Sequence, residues 1–159
     1  MITENVGTIL KRKNIQEVLA VPATATVAAA VALMSSRGIG AILIRSGNGP
    51  VEGIITERDL MRRVLNEGRD PKATPVTAVM SPEVRRIASS VTVEEALRLM
   101  VVHNHRHLLV ADGNVVQGVV SIRDLMEWVV LPDKSIASEG RVGVIKARTA
   151  DAIESLQNR

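Results

Sequence analysis

A hydroxyl and an aspartate stand three residues apart at two places in the chain. Thr56 precedes Asp59, and Ser121 precedes Asp124, 65 positions later. A hydroxyl can donate a hydrogen bond to a phosphate oxygen, and a carboxylate can accept hydrogen bonds from two sugar hydroxyls. The same spacing suits a helix N-cap, in which each side chain bonds the backbone of the other residue. The pairs therefore predict structural capping, binding of a phosphorylated sugar, or both.

Both pairs lie inside a longer internal repeat. Residues 53–60 read Gly-Ile-Ile-Thr-Glu-Arg-Asp-Leu, and residues 118–125 read Gly-Val-Val-Ser-Ile-Arg-Asp-Leu. The similarity continues towards the N-terminus, where Val-x-x-Ala-x-x-x-Met occurs at 27–34 and at 93–100. The offset changes by one residue in a turn that carries Gly-Asn in both copies. A duplication of this kind predicts two structural units of similar fold.

The elements that would position the two pairs occur in the same order in each unit: strand, helix, strand, strand, helix. Apolar periodicity and N-cap residues indicate their bounds, with Thr26 as one cap and Thr92 with Glu95 as a capping box. The first unit is predicted to have strands at 18–21, 41–45 and 51–56 and helices at 26–36 and 57–66. The second is predicted to have strands at 84–88, 107–111 and 115–120 and helices at 92–102 and 123–130.

The fold class that follows is α/β (α+β), with two βαββα units packed as a pseudo-twofold pair. Units of roughly 60 residues bury little surface alone, so the two should share a core. The expected organisation is an N-terminal helix at 1–14, a first unit at 15–69, a linker at 70–78, a second unit at 79–131 and a tail at 132–159. A short turn or helix is expected at 76–80.

Composition narrows the class of protein. The 159 residues include no Cys, Phe or Tyr and one Trp, so the core should be aliphatic. The absence of cysteine excludes disulfides and thiol catalysis and fits a cytoplasmic protein. The net charge of +3 is spread along the chain and no aromatic platform exists, which argues against nucleic-acid binding. Pro22 interrupts the uncharged stretch at 18–36, so no membrane span is expected.

The repeated motifs resemble those of a tandem pair of cystathionine-β-synthase (CBS) domains, also called a Bateman module. The resemblance rests on Val-Met-Ser-Pro at 79–82, the Val-x-x-Ala-x-x-x-Met helices and the two Gly-h-h-Thr/Ser-x-x-Asp motifs, and it covers roughly residues 15–130. It implies a regulatory protein that binds an adenine nucleotide (AMP, ADP, ATP or a related adenosyl ligand) between the units. It also implies a homodimer and a regulated enzyme or transporter in trans.

The resemblance also implies roles for individual residues. Ribose and phosphate would be bound by Thr56, Arg58, Asp59, Ser121, Arg123, Asp124, Arg106, His107 and Arg86. The adenine slot would be formed by Val18, Ala20, Ile39, Gly40, Ala41, Val84 and His105, although core packing explains the apolar residues equally well. Leu43 and Leu109 depart from the family, where proline is frequent in the core strand.

The two expected sites differ in charge. Gly40 and Ala41 are small and uncharged beside the first site, whereas Arg106 and His107 stand beside the second, with Arg85 and Arg86 on the adjacent strand. We therefore expect the Ser121/Asp124 site to hold the tighter phosphate-bearing ligand. Protonated His105 and His107 would be pH-dependent phosphate partners.

Other functions receive less support from the sequence. The alternating His103, His105 and His107 suggest a metal site, but His103 is expected to continue the helix that precedes it, so the alternation breaks and no metal is expected. No nucleophile context or P-loop lysine is present, so we expect neither an enzyme nor a cofactor. The alternative to a nucleotide sensor is a structural or interaction module with degenerate nucleotide sites. Dimer contacts or core packing would use the apolar helix residues Leu60, Met61, Val64, Leu125, Met126 and Trp128.

Overall fold

The structure is a computed structural model that describes residues 4–13 and 18–130. The elements are α1 (Val6–Arg12), β1 (Ala20–Val21), α2 (Val27–Arg37), β2 (Ala41–Ile44), β3 (Gly53–Thr56), α3 (Glu57–Asp59), a π-helical segment (Leu60–Leu65), a 3₁₀ turn (Val76–Ala78), β4 (Arg86–Ile87), α4 (Val93–Val102), β5 (His107–Asp112), β6 (Val115–Ser121) and α5 (Ile122–Val130). This order confirms the mixed fold with two βαββα units. The predicted tail at 132–159 lies outside the described residues.

Both sheets have the same topology. Their strand orders are β1-β2-β3 and β4-β5-β6, and in each sheet the first pair is parallel and the second antiparallel. The register pairs Ala41 with Thr56 in one sheet and His107 with Ser121 in the other. Each motif hydroxyl therefore stands at the end of its strand, opposite the first residue of the central strand.

The central strands form the aliphatic core that the composition predicts. Every residue of β2 is buried, and so are residues 108–111 of β5. Leu43 and Leu109 are 0% and 1% exposed and belong to one apolar cluster with Ala41 and Ile54, so residues of both sheets share a core. Burying a leucine in this way contributes about 1.5–3 kcal/mol. These are the two positions at which proline was expected from the resemblance.

Side-chain caps determine where the long helices begin. The Thr26 hydroxyl accepts a hydrogen bond from the Ala29 N–H, and the Thr92 hydroxyl accepts one from the Glu95 N–H, both at 3.2 Å. Both predicted caps are therefore confirmed. Of the two hydrogen bonds of the predicted capping box, the structure shows the one that the Thr92 hydroxyl accepts. Helix α2 ends at Gly38, whose left-handed φ of 62° suits a glycine.

Two predicted elements differ from the structure. The strands expected at 18–21 and 84–88 are only two residues long, since each makes just two parallel pairings with the central strand of its sheet. The helix expected at 57–66 is α-helical only over its first three residues and then becomes π-helical. The Asn66 N–H bonds the Met61 carbonyl, five residues back, at 3.0 Å. Single π-helical turns often occur at functional sites, and apolar periodicity does not predict them.

Helix α1 packs on the second unit although it precedes the first in the sequence. The Val6 N–H donates to the Val91 carbonyl at 2.9 Å, and the Gly7 N–H donates to the Ser89 carbonyl at 3.0 Å. Leu10 lies against Gly118 of β6, where an added Cβ would be 3.4 Å from its side chain. The end of α1 therefore reaches the second motif.

The glycine that opens the first motif is required by a close approach of the chain. A Cβ at Gly53 would lie 2.6 Å from Met80 Sδ and 2.9 Å from the Ser81 carbonyl oxygen. The segment approaches this closely because Ser81 and Ile54 exchange two backbone hydrogen bonds of 2.9 and 3.0 Å. Residues 79–83, which continue from the predicted linker at 70–78 and are counted with it as the linker from here on, are thereby held along β3, beside the first hydroxyl–carboxylate pair.

Candidate functional site

Both hydroxyl–carboxylate pairs form capping boxes. The N–H and hydroxyl of Thr56 donate to Asp59 Oδ2 at 2.9 and 2.8 Å, and the Asp59 N–H returns a hydrogen bond to the hydroxyl at 3.3 Å. The corresponding distances between Ser121 and Asp124 are 2.7, 2.7 and 3.2 Å. The capping interpretation is therefore correct for both copies. Whether a pair can also bind a ligand depends on the remaining contacts of its carboxylate.

The first pair borders a cavity of about 350 Å³, a volume typical of a small-molecule site. The residues that line it come from the first motif, the linker and the second unit. They are Ile54, Thr56, Arg58, Asp59, Arg62, Arg63, Ser81, Glu83, Val84, Arg85, His103, Asn104, His105, Arg106 and His107. The cavity thus joins the end of the first unit to the beginning of the second.

The cavity lining is rich in arginine. Five arginines line it against two carboxylates, those of Asp59 and Glu83. The Arg63 guanidinium is engaged, since it donates to the Val79 and Met80 carbonyls at 2.9 and 2.8 Å. The guanidinium groups of the other four have no hydrogen bond or ion pair to any described residue; they are Arg58, Arg62, Arg85 and Arg106. Cations that converge without a protein counter-ion favour an anionic ligand.

The Asp59 carboxylate keeps one oxygen with only long contacts. Oδ2 accepts the bonds from Thr56, whereas Oδ1 lies 3.4 Å from the Ser81 hydroxyl and 3.8 Å from Arg63 Nε. The side chain is 13% exposed and lines the cavity. Oδ1 can therefore accept hydrogen bonds from hydroxyls of a ligand.

The second carboxylate is in different surroundings. Lys13 Nζ lies 2.6 Å from Asp124 Oδ2 and 3.3 Å from the Val119 carbonyl oxygen. Burial alone would raise the pKa of Asp124, but the Lys13 ammonium and the hydrogen bonds from Lys13 and Ser121 hold that pKa below its usual value. Asp124 is therefore an ion-paired carboxylate, and it is not part of the cavity lining.

His107 lies between the two motifs. It lines the cavity, its Nε2 would be 3.6 Å from a Cβ at Gly40, and it interacts electrostatically with Asp124. Burial, with help from the Arg106 charge, lowers the pKa of His107 from 6.5 to about 4, although Asp124 opposes the shift. His107 is therefore neutral at pH 7. The expectation that it would be protonated was wrong, because sequence does not show that its ring is buried.

The structure groups the predicted site residues differently from the sequence analysis. It brings seven of them together at the cavity: Thr56, Arg58, Asp59, Val84, His105, Arg106 and His107. The basic pair Arg106 and His107 thus lines the cavity of the first motif, whereas we had grouped it with the second. The difference arises because the start of β5 faces the linker and the first motif across the shared core.

The remaining predicted residues lie outside this lining. Ser121 and Asp124 form the second capping box, and Arg86 and Arg123 are exposed. Val18 and Ala20 are half-buried against the shared core, and Ala41 is a member of it. Ile39 packs on the core of the first unit, and Gly40 lies beside Glu57.

Several cavity residues were not predicted from the sequence. Arg62 and Arg63 follow Arg58 and Asp59, respectively, at the helical spacing of four residues, a signal that could have identified them. Ser81 and Glu83 belong to the linker that approaches β3, and nothing in their local sequence indicates that position. Lys13 was also missed, because its contact with Asp124 depends on where α1 packs.

Neither a metal site nor a membrane-spanning helix is found in residues 4–13 and 18–130. These residues contain no group of three or more His, Asp or Glu side chains that could hold a metal ion. His103 and His105 stack with ring centroids 6.4 Å apart. No helix in the same part of the chain is both long and apolar enough to cross a bilayer.

Comparison with known families identifies the fold. The CBS domain family matches the chain twice, at residues 6–66 and 76–131. The chain belongs to the CBS domain family. Its two domains form a tandem CBS pair, and its fold matches a solved protein with CBS domains from Burkholderia ambifaria MC40-6 with a TM-score of 0.75. That protein is 37% identical, and the match covers 82% of this chain and 96% of the other.

Two further CBS proteins extend the comparison. PAE2072 from Pyrobaculum aerophilum, solved in complex with AMP, matches with a TM-score of 0.65 at 23% identity over 76% of this chain and 88% of its own. The Arabidopsis thaliana protein CBSCBSPB1 is 30% identical over 132 residues, which are 83% of this chain. This CBS pair spans only 24% of that plant protein.

Proposed function

We propose that this CBS pair is a regulatory protein that binds an adenine nucleotide in the Asp59 cavity and signals to a partner. The observation that carries the proposal is the convergence of four arginines, which have no counter-ion among residues 4–13 and 18–130, on a cavity that the Asp59 carboxylate also lines. A nucleotide matches both kinds of group, because its anionic phosphates can pair with the arginines and its ribose hydroxyls can donate hydrogen bonds to the carboxylate. AMP in the related PAE2072 structure supports this class of ligand.

The chemistry of the lining assigns a role to each part of the nucleotide. Asp59 Oδ1 accepts hydrogen bonds from the ribose hydroxyls, and Arg58 and Arg106 pair with phosphate oxygens, which guanidinium groups bind in bidentate fashion. Ile54 and Val84 supply apolar surface for the base. Neutral His107 has one ring nitrogen that can donate to phosphate without adding charge.

Regulation follows from the position of the cavity. A ligand changes the conformation of a protein only through different affinities for two states. Because Asp59 and Arg106 come from different CBS domains, a bound nucleotide stabilises the state in which the domains are packed closely. A regulated enzyme or transporter in trans would read that state, and the CBS pair itself carries no catalytic role.

We also propose that the protein forms a homodimer. Val64 and Leu125 are buried in the chain, so they do not remain candidates for the contact. Met61, Leu65 and Met126 are exposed apolar side chains at 55%, 76% and 44%. Light scattering coupled to size-exclusion chromatography tests the dimer, and a monomeric mass at micromolar concentration contradicts it.

Calorimetric titration tests nucleotide binding. AMP, ADP and ATP are each titrated into the wild-type protein and into Asp59→Asn, with GTP as the control for the base. The proposal predicts saturable binding of an adenine nucleotide that is weakened by the substitution. Equal binding of GTP, or no heat with any adenine compound, contradicts it.

The second candidate function is an interaction module with degenerate nucleotide sites. The ion pair between Lys13 and Asp124 favours it, since one of the two motif carboxylates is already satisfied by the protein. Thermal unfolding separates the candidates: a nucleotide that binds the folded state raises the melting temperature. An unchanged melting temperature with millimolar AMP, ADP and ATP supports the interaction module.

A further inference from the structure

We infer that Lys13 closes the second motif, so that the protein binds nucleotide at the Asp59 cavity alone while α1 is docked. This inference rests on the proposed function and deepens it, because it states which motif is available and what blocks the other. The immediate neighbours of the two equivalent carboxylates differ.

In the first domain, the neighbour of the Asp59 carboxylate is a serine. Ser81 exchanges backbone hydrogen bonds of 2.9 and 3.0 Å with Ile54 of β3, and its hydroxyl lies 3.4 Å from Asp59 Oδ1. A hydroxyl is small and uncharged, and the ion pair of Asp59 with Arg63 Nε is long, at 3.8 Å. The space beyond Ser81 and Asp59 is the cavity described above.

In the second domain, the neighbour of the carboxylate is a lysine, and it bonds the oxygen that also accepts from Ser121. Val119 is the repeat equivalent of Ile54, and Lys13 Nζ lies 3.3 Å from its carbonyl oxygen. The same ammonium lies 2.6 Å from Asp124 Oδ2, which already accepts two bonds of 2.7 Å from Ser121. The site that is open in the first domain therefore contains a protein cation in the second.

The ion pair is well protected from solvent. The side chains of Lys13 and Asp124 are each 12% exposed. Removing one member of such a pair leaves a poorly solvated charge, which is more costly than separating an exposed pair. Ribose hydroxyls are neutral donors and cannot replace the ammonium as a counter-ion. A nucleotide therefore has to displace Lys13 before it can use Asp124.

Helix α1 fixes the position of Lys13. The Lys13 N–H caps the end of the helix by donating to the Ile9 and Leu10 carbonyls at 3.2 and 3.1 Å. The start of the helix is held on the second domain by Val6 and Gly7, through the backbone bonds already described. Opening the Asp124 site requires the Lys13 side chain to leave, and undocking of the C-terminal end of α1 would remove it, which couples that site to the docking of α1.

Binding stoichiometry tests the inference. ATP is titrated calorimetrically into the wild-type protein, Lys13→Met and the control Lys11→Met, whose lysine is exposed on the same helix. Methionine keeps most of the length of the side chain but removes the charge. We expect one equivalent of ATP in the wild type and in Lys11→Met, and two in Lys13→Met, with the second site bound at least about tenfold more tightly than in the wild type.

The other outcomes overturn specific claims. One equivalent in both wild type and Lys13→Met refutes closure by Lys13, and so do two equivalents in the wild type. No binding to the wild type but one equivalent in Lys13→Met supports closure and refutes binding at the Asp59 cavity. No binding to either protein refutes both. The failure of the inference is thus distinguishable from the failure of the proposed function.

A measurement on the wild type covers the case in which Lys13→Met does not fold. Hydrogen exchange reports the docking of α1 through the amides of Val6 and Gly7, which are bonded to the second domain. One bound equivalent of ATP with both amides still protected supports closure. Two bound equivalents with the same protection show that Asp124 is accessible while α1 is docked, and refute it.

Discussion

Asp59 and Asp124 are equivalent in sequence and form the same capping box, but their counter-ions differ. Asp124 is 2.6 Å from a lysine ammonium, whereas the nearest cation to Asp59 is a guanidinium nitrogen 3.8 Å away. The hydrogen bonds of each pair depend on a spacing of three residues, so they could be predicted. The counter-ions depend on residues far away in sequence, so they could not.

At the residue scale, we predict that Asp59→Asn weakens nucleotide binding about ten- to a hundredfold. Asparagine keeps the shape and an acceptor for the Thr56 bonds, but it loses the charge that strengthens hydrogen bonds from ribose hydroxyls, each worth about 1.5–3 kcal/mol. Calorimetry measures the change. The control is Glu57→Gln, which removes an exposed charge next to the cavity without altering its lining; equal effects of the two substitutions would refute the assignment.

The lowered pKa of His107 predicts that the stability of the protein depends on pH. Its pKa is lowered to about 4 in the folded protein and is near 6.5 when unfolded, so between these values the unfolded state binds more protons. Stability therefore falls as the pH falls from 6.5 to 4, with a slope of at most about 1.4 kcal/mol per pH unit from this residue. The depressed pKa of Asp124 adds a further loss only at lower pH, as its ion pair with Lys13 is titrated.

Urea unfolding at several pH values measures this slope. We expect His107→Gln to flatten it between pH 6.5 and 4, because glutamine has no proton to bind. The control His105→Gln changes an exposed histidine two residues away, so a comparison of the two variants shows whether the slope belongs to His107. A wild-type slope that survives His107→Gln would contradict a buried neutral ring.

At the scale of elements, the Asp59 cavity depends on how closely the linker approaches β3. Gly53 permits that approach, and Arg63 reinforces it by bonding the Val79 and Met80 carbonyls. The π-helical segment that follows the motif carries both Arg62 and Arg63. The linker, β3 and this helix therefore act together to place Ser81 and the arginines around Asp59.

We predict that Gly53→Ala destabilises the protein by about 1–3 kcal/mol and also weakens nucleotide binding. The added Cβ meets backbone at 2.9 Å, so the linker must shift away from β3. Gly38→Ala is the control, since its left-handed φ costs about 1–2 kcal/mol but nothing lies within 4 Å of the added Cβ. Urea unfolding measures the stability of the two variants, and calorimetry measures their affinity for nucleotide. An affinity that falls equally in the two variants would contradict the role of the linker.

Local signals account for the elements that the sequence predicted well. Thr26 and Thr92 cap their helices, and the two central strands are continuous apolar runs, so both features can be read from neighbouring residues. The π-helical segment and the two-residue edge strands depend on pairing and packing beyond their own sequence. The same is true of α1, which docks on the second domain through contacts such as Leu10 with Gly118.

At the scale of the whole molecule, the cavity concentrates positive charge in a protein whose net charge is only +3. Arginines from the first motif and from the second domain meet there because the two sheets share a core. Leu43 and Leu109 lie in that core, at positions where the resemblance predicted proline. Packing of the domains and the electrostatics of the cavity are therefore linked.

We predict that affinity rises with ligand charge, in the order adenosine, AMP, ADP and ATP, and that added salt weakens ATP binding but not adenosine binding. Each additional phosphate meets unpaired guanidinium groups, and salt screens that attraction. Arg106→Gln should weaken ATP binding, while Arg98→Gln, an exposed arginine on α4 outside the lining, should not. Adenosine affinity equal to that of ATP would contradict an anion-binding cavity.

A crystal structure of the protein grown with ATP tests the central claim most directly. We predict one nucleotide between the two CBS domains, with a ribose hydroxyl within hydrogen-bonding distance of Asp59 Oδ1 and phosphates beside Arg58 and Arg106. A nucleotide bound elsewhere, or an Asp59 cavity filled by protein side chains under saturating ATP, would contradict it.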